Sequence, residues 1–127
     1  MKLKLRSLVL IATVLVLLTL TVSVHGEFTR LVSINGGSPA PRLMDSLVAA
    51  GYTGPASLDQ LDICNPTGAA DTLYIGNVAT VNASTGFPVP AGTCAPTFRA
   101  AARPVNASSF FIFSAVTESA AISLRER

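Results

Sequence analysis

Clusters of Gly, Pro and Asn cut the chain into short segments, and this feature constrains the fold more than any other. Such clusters lie at 35–37, 65–68 and 86–92. Asn and Gly accept positive φ angles and Pro fixes φ, so each cluster tends to end a regular element. Short apolar segments separated by turns about every 8–12 residues are typical of β-sandwiches and barrels. Residues 27–127 are therefore predicted to form one all-β domain, a small antiparallel β-sandwich of jelly-roll-like type.

Apolar residues between the turns predict where the strands lie. Partial alternation of apolar and polar residues predicts a first strand from Phe28 to Ile34. The most apolar stretch, Phe110–Phe113, predicts a central strand buried on both faces. Further strands are predicted at 58–64, 72–75 with a continuation over 78–81, 93–100 and 120–124.

The segments between these strands are predicted to be loops, with one short helix. Leu43, Met44, Leu47 and Val48 are spaced for one helix face that ends at Gly51, and a loop packed on the sheet edge is the alternative. Residues 82–90 and 104–108 are predicted loops.

The first 26 residues differ from the rest of the chain. Lys2, Lys4 and Arg6 precede an uncharged apolar run at 8–24, and small residues follow before Glu27. Signal cores have about 7–15 apolar residues and membrane spans about 20, and this run lies between the two. Residues 1–26 are therefore predicted to be an apolar helix that serves as a cleaved signal peptide or as a retained membrane anchor.

The charge of the domain excludes one class of partner. Residues 27–127 carry six arginines, seven acidic side chains and no lysine, which gives a net charge of −1. Binding to nucleic acid needs clustered Lys and Arg to neutralise phosphates. We therefore expect no nucleic-acid partner.

Two cysteines, Cys64 and Cys94, remain in the domain. An exported protein meets an oxidising compartment, which favours a disulfide between them. Two separate buried thiols are the alternative. Two cysteines without a histidine cannot form a structural zinc site.

The residue types of most catalytic systems are missing from the domain. The single histidine, His25, lies at the predicted cleavage site, and residues 27–127 have no lysine. Asp59, Asp62 and Asp71 are then the candidates for acid–base chemistry or calcium binding. Asp beside Gly, Pro and Asn more often caps turns, so we expect no catalytic residue, no metal and no cofactor.

Two sequences match the N-glycosylation sequon, at Asn82 and Asn106. In a eukaryotic secretory route both are predicted glycan acceptors. In a bacterial or phage setting they are plain loop residues, which is the interpretation we favour.

A proline-rich loop is predicted between Gly86 and Gly92. Phe87, Pro88 and Pro90 lie in it, and its prolines fix the backbone at low entropic cost. Such a rigid loop suits a protein contact, and plain stability is the alternative. Nearby, Tyr74 is expected to be half-buried, and Gly76 to adopt a backbone conformation that a side chain would forbid.

Four segments carry a family resemblance: Asp62–Pro66, Thr72–Asn77, Thr85–Gly92 and Phe110–Phe113. Over residues 58–124 the chain resembles small bacteriophage virion proteins in its order of strand, Asn-Pro turn, Leu-Tyr-Ile-Gly, Gly-Phe-Pro-x-Pro-x-Gly and strand. The resemblance implies a β-sandwich module on a capsid, head fibre or tail. The leader departs from that pattern and fits an exported surface protein or a virion protein attached to a membrane.

These observations predict a structural or interaction module, exported or on a virion surface, that assembles with copies of itself or with a larger scaffold. One alternative is an exported monomeric binding module for carbohydrate or a surface receptor. Tyr52, Tyr74 and Phe87 are its candidate aromatic residues. A membrane-anchored subunit, held through residues 8–24, is another alternative.

Overall fold

The computed structural model describes residues 26–127, and these residues are mostly β-structure in antiparallel sheets. The predicted N-terminal apolar helix falls on residues 1–25 and lies outside the described part. No helix between residues 26 and 127 is long and apolar enough to cross a membrane. The elements are β1 Glu27–Ile34, α1 Leu43–Ala49, β2 Ser57–Cys64, β3 Leu73–Gly76, β4 Phe87–Val89, β5 Phe98–Arg99, β6 Val105–Asn106, β7 Phe111–Phe113 and β8 Glu118–Glu126.

The strands form two antiparallel sheets. The larger sheet has the order β1-β8-β2-β5. β6 also pairs with β2, along the same edge as β5 but at the residues where β2 begins. The smaller sheet has the order β4-β3-β7. The last strand of the chain, β8, lies between β1 and β2, and its pairing with β1 runs from Glu27 opposite Arg125 to Ile34 opposite Glu118.

One hydrophobic core collects the inward side chains of both sheets and of α1. Alternation along each strand turns every second residue inward, as the burial of Val32 and Ile34 in β1 shows. Burying each such side chain stabilises the fold by about 1.5–3 kcal/mol. Fully buried members of this cluster include Leu43, Leu47, Leu61, Ile63, Leu73, Ile112 and Ile122.

The predicted short helix is confirmed as α1, since Leu43 and Leu47 reach the core. Gly51 follows the helix with φ = +94°, a left-handed conformation that glycine adopts without a steric penalty. Met44 is half-buried, whereas Val48 is exposed. Of the four apolar residues with helical spacing, Val48 is therefore the one that does not pack against the core.

The prediction that Phe110–Phe113 forms a central, doubly buried strand is wrong. β7 is an edge strand of the smaller sheet, and of its three residues only Ile112 is buried. The guanidinium of Arg42 lies 5.5 Å from the ring centre of Phe111, and the rings of Phe113 and Tyr74 lie 6.2 Å apart. Antiparallel alternation sends the two phenylalanines to the outer face, where these neighbours partly cover them.

Other boundaries also differ from the predictions. The proposed continuation at 78–81 is a turn, because the N–H of Val81 donates to the oxygen of Val78 at 3.1 Å instead of pairing with another strand. The strand predicted at 93–100 is reduced to β5 and a single bridge at Cys94, since Pro96 has no N–H for pairing. The loops predicted at 82–90 and 104–108 contain the short strands β4 and β6.

Candidate functional site: an apolar groove between the sheets

An apolar groove opens where residues of the smaller sheet meet β5 of the larger sheet. Its volume is about 380 Å³. We name it the Phe groove after Phe87, Phe98 and Phe110. Its other lining residues are Ile75, Gly76, Asn77, Pro96 and Ser109.

Two of the phenylalanines form a fixed floor. The rings of Phe98 and Phe110 meet edge to face with their centres 4.8 Å apart, a favourable geometry for aromatic rings. Phe98 lies opposite Leu61 in the pairing of β5 with β2. The backbone oxygen of Phe110 accepts a hydrogen bond of 2.8 Å from the N–H of Leu43 at the start of α1. Both residues are therefore held by the sheet and the helix that flank the core.

The third phenylalanine is the exposed wall of the groove. Phe87 begins β4 opposite Ile75, and 52% of its surface remains exposed. Directly opposite residues of an antiparallel pair share one face of the sheet, so Phe87 lies on the side of buried Ile75. A large apolar side chain that is exposed beside other apolar groups is a typical contact residue.

The three residues predicted to form an interaction loop are placed differently from that prediction. Phe87 and Pro88 belong to β4, and Pro90 directly follows it. Pro88 is tolerated because β4 is an edge strand, where a missing N–H need not break a ladder. The oxygen of Pro90 accepts a 2.7 Å hydrogen bond from the hydroxyl of Thr93. Only Phe87 of the three lines the groove, and a role in protein contact stays a prediction.

Two glycines near the groove are required by close packing. A Cβ atom at Gly76 would lie 2.5 Å from Cγ2 of Val81, and one at Gly86 would lie 2.7 Å from Cβ of Tyr74. The expectation that Gly76 adopts a backbone conformation forbidden to other residues is wrong, because its φ angle is not positive. Val81 fits between the two glycines and is 2% exposed. Tyr74 is half-buried, as expected.

The chemistry of the groove favours an uncharged apolar occupant. None of its eight lining residues is charged, and only Asn77 and Ser109 have polar side chains. Phosphates need N–H or cationic donors, and sugars need several hydrogen-bonding groups around a ring. The groove offers mainly hydrocarbon and aromatic surface instead.

The disulfide holds one wall of the groove. Cys64 and Cys94 form a disulfide, which confirms the predicted bond and contradicts the alternative of two free thiols. The bond joins the end of β2 to the segment that leads to Pro96 and Phe98. Disulfides persist in oxidising environments, so this bond indicates an extracellular or similar compartment.

The three candidate aspartates each have their own structural partners. The Asp59 carboxylate lies 3.7 Å from the exposed guanidinium of Arg125. Asp62 accepts hydrogen bonds from Nε2 of Gln60 at 2.8 Å and from the Thr97 hydroxyl at 2.5 Å. Both aspartates lie within β2, so the expectation that they cap turns is wrong.

Asp71 connects the bend that precedes β3 to the segment between β7 and β8. Its Oδ1 accepts from the N–H of Thr72 at 2.8 Å, and its Oδ2 accepts from the N–H of Ala115 at 2.7 Å. The N–H of Ala115, followed by that of Thr72, holds the pKa of Asp71 below its ordinary value. No group of three His, Cys, Asp or Glu side chains within residues 26–127 is arranged to hold a metal ion.

Both sequon asparagines are exposed and make the same local hydrogen bond. Oδ1 of Asn82 accepts from the N–H of Ser84 at 2.8 Å, and Oδ1 of Asn106 accepts from the N–H of Ser108 at 2.9 Å. These Asx turns account for asparagine at both positions without a glycan. Glycosylation of either residue stays a prediction.

The aromatic residues considered for sugar binding do not form one surface. Tyr52 is 4% exposed and packs edge to face against Phe28 at 5.3 Å. Tyr74 alternates with Ile75 along β3 and so points to the face opposite Phe87. Sequence reasoning identified Phe87 but missed Phe98 and Phe110, which lie in two other segments of the chain. The sequence signal for both was that they are phenylalanines within predicted strands, at 93–100 and 110–113.

No protein-family model, curated protein or solved structure matches this chain. The resemblance to small bacteriophage virion proteins therefore stays a prediction.

Proposed function

We propose that this protein is an exported, non-enzymatic interaction module that holds an uncharged, apolar segment of a partner protein in the Phe groove. One observation carries the proposal: Phe87 is half exposed beside Phe98 and Phe110 in a groove without charged lining residues. The partner is a larger scaffold on a cell surface or a virion, which makes this chain a structural component.

The groove has the properties of a protein-binding hot spot. Hot spots are pockets in which aromatic side chains exclude water, and they lie within surfaces that are depleted of charge. Phe98 and Phe110 are already fixed by their mutual contact, so binding costs little side-chain entropy there. The domain's net charge of −1 provides little long-range attraction, so contact area rather than electrostatic attraction stabilises the complex.

The proposed architecture and location are consistent with this role. Two antiparallel sheets that share one core support classification as a β-sandwich, with jelly-roll-like connections as the finer proposal. The Cys64–Cys94 disulfide supports export, and the basic and apolar start of the chain supports a signal or an anchor. A retained anchor would make the protein a membrane-held subunit of the same assembly.

Carbohydrate binding receives less support from the groove. Asn77 and Ser109 are the only polar side chains that line it, too few to satisfy the hydroxyl groups of a sugar ring. We therefore prefer a protein partner to a glycan.

Selection from a random peptide library on the purified full chain tests the proposal. Selected peptides should be uncharged and rich in apolar residues. Phe87→Asp should weaken their binding by about tenfold or more, because it removes a hot-spot ring and places a charge in the groove. Val116→Asp is the matched control, since Val116 is 49% exposed and lies outside the groove.

Two results would contradict the proposal. One is selection of charged peptides whose binding is equally strong to the Phe87→Asp variant. The other is absence of peptide binding together with reproducible binding to a glycan array.

A further inference from the structure

The first strand of the domain has a long free edge. β1 is eight residues long and pairs only with β8 among the described strands. The side chains of Glu27, Thr29, Leu31 and Ser33 are exposed. Leu31 is 64% exposed, the highest value among the large exposed apolar side chains of residues 26–127. The middle of this edge therefore presents an apolar residue to solvent.

The ladder shows which backbone groups of β1 point away from β8. The N–H of Glu126 donates to the oxygen of Gly26 at 2.9 Å, so Gly26 belongs to a hydrogen-bonded pair. Antiparallel ladders alternate, so even-numbered residues of β1 bond to β8 and odd-numbered residues point to the free edge. Thr29, Leu31 and Ser33 therefore direct their N–H and C=O groups outward.

β1 lacks the devices that usually protect a sheet edge. It contains no proline and no lysine, and its register with β8 is continuous over all eight residues. Its one cation, Arg30, donates a 3.0 Å hydrogen bond from Nη1 to the oxygen of Ala50 beyond α1. The other sheet edges have strands of only two or three residues, and β4 carries Pro88. β1 is therefore the edge within residues 26–127 best suited to accept another strand.

We propose that β1 pairs with β1 of a second copy of this chain, antiparallel and centred on Leu31, which joins the two larger sheets into one. A twofold axis at Leu31 places an outward-pointing residue opposite itself, so the two copies exchange hydrogen bonds there. This register pairs odd-numbered residues with odd-numbered ones and even-numbered with even-numbered ones. The inner faces of the two larger sheets therefore lie on the same side of the joined sheet.

This register is complementary on the outer face. It places Leu31 opposite Leu31 of the second copy, so two apolar side chains are in contact. It also places Thr29 opposite Ser33, so two hydroxyl groups face each other. A register shifted by one residue, centred on Arg30, would place two cations opposite each other and is disfavoured. Glu27 lies four residues from the axis, so its charge is far from the equivalent residue of the second copy.

Sedimentation velocity over a wide concentration series tests the pairing. The full chain is used in the form, processed or intact, in which exporting cells release it. We expect a reversible dimer. Leu31→Lys should raise its dissociation constant by about tenfold or more, because two ammonium groups then face each other at the axis. Val78→Lys adds the same charge at a residue that is 51% exposed, in the turn after β3, and should leave the dimer unchanged.

Cysteine substitution tests the register. Leu31→Cys should form an interchain disulfide under mild oxidation, whereas Thr29→Cys should not, since Thr29 faces Ser33 rather than itself. A chain that stays monomeric at every concentration would overturn the inference. So would a dimer that resists Leu31→Lys, or equal cross-linking at both positions.

The test is independent of the proposed function. Phe87 lies on the smaller sheet and Leu31 on the larger one, so Phe87→Asp should leave self-association intact. Loss of peptide binding with retained dimerisation, or the reverse, therefore identifies which of the two ideas is wrong.

Discussion

A single buried amide, that of Asn65, connects three segments of the chain. Asn65 is 1% exposed, and its Nδ2 donates to the backbone oxygens of Asp71 at 2.8 Å and Val89 at 2.9 Å. Its backbone N–H also donates to the oxygen of Thr93 at 2.8 Å. In the sequence this residue reads as part of an Asn-Pro turn, and nothing local indicates that its side chain is buried.

Replacement of Asn65 should therefore be costly. Asn65→Leu removes the donor from a buried hydrogen bond to Val89 and from a partly buried one to Asp71, and we expect the free energy of unfolding to fall by about 1–3 kcal/mol. Exposed Asn35 provides the control, because Asn35→Leu should change stability by less than about 0.5 kcal/mol. Urea denaturation of the full chain measures both variants. Equal stability of the two would show that the amide bonds contribute little.

The hydroxyl of Tyr52 should titrate far above its ordinary range. It donates a 2.7 Å hydrogen bond to the oxygen of Pro55, and burial, followed by the nearby Glu126 carboxylate, raises the pKa of Tyr52 to about 12. The neutral hydroxyl thus favours the folded state below pH about 10, the ordinary pKa of tyrosine. That stabilisation is lost as pH rises from about 10 through about 12.

Ultraviolet titration of the Tyr74→Phe variant isolates this group, since the chain has two tyrosines and no tryptophan. Phenolate absorbance should appear with a midpoint near 12 while circular dichroism still shows folded protein. A midpoint near 10 in the folded protein, the ordinary value, would contradict the described environment of Tyr52.

At the scale of elements, the turn between β3 and β4 depends on close packing around Val81. Gly76→Ala would place a methyl group 2.5 Å from Cγ2 of Val81, and the buried valine cannot move without displacing its neighbours. We expect Gly76→Ala to lower the free energy of unfolding by about 1–3 kcal/mol. Asn77→Ala, at the next and exposed position, should have little effect. A neutral Gly76→Ala variant in thermal denaturation would show that this packing is loose.

Elements with a strong local pattern could be predicted, and those formed by tertiary pairing could not. The apolar positions at Phe28–Ile34 and the helical spacing before Gly51 predicted β1 and α1 correctly. β5 and β6, with two residues each, exist only because β2 offers them an edge. Composition also misled the prediction at Phe110–Phe113, because a run of apolar residues does not show whether its strand lies at the centre or the edge.

For the molecule as a whole, the disulfide is the covalent link between the end of β2 and the segment before β5. It closes a loop with a sequence separation of 30 residues that contains β3 and β4. The chain-entropy model assigns about 3–4 kcal/mol of stabilisation to a loop of this size. The double variant Cys64→Ala, Cys94→Ala should lose about this much stability in urea denaturation. Its control is the parent protein in reducing buffer, which should show the same loss. A double variant as stable as the oxidised parent would contradict the prediction.

The candidate site could be predicted only in part. Phe87 was identified because it lies among prolines that stiffen the backbone, whereas Phe98 and Phe110 come from segments that meet it only in the folded protein. The Cys64–Cys94 disulfide could be predicted because the chain has two cysteines and an export signal is expected. The groove itself depends on how two sheets face each other, which no local pattern specifies.

Photo-cross-linking at Phe87 in cells that export the full chain tests the central claim most directly. A photoreactive phenylalanine analogue at Phe87 should yield one discrete protein adduct, and mass spectrometry should map it to an uncharged apolar segment of the partner. The same analogue at exposed Val116 should yield no such adduct. Adducts of equal identity and yield at both positions, or adducts with charged segments only, would contradict the proposed role of the Phe groove.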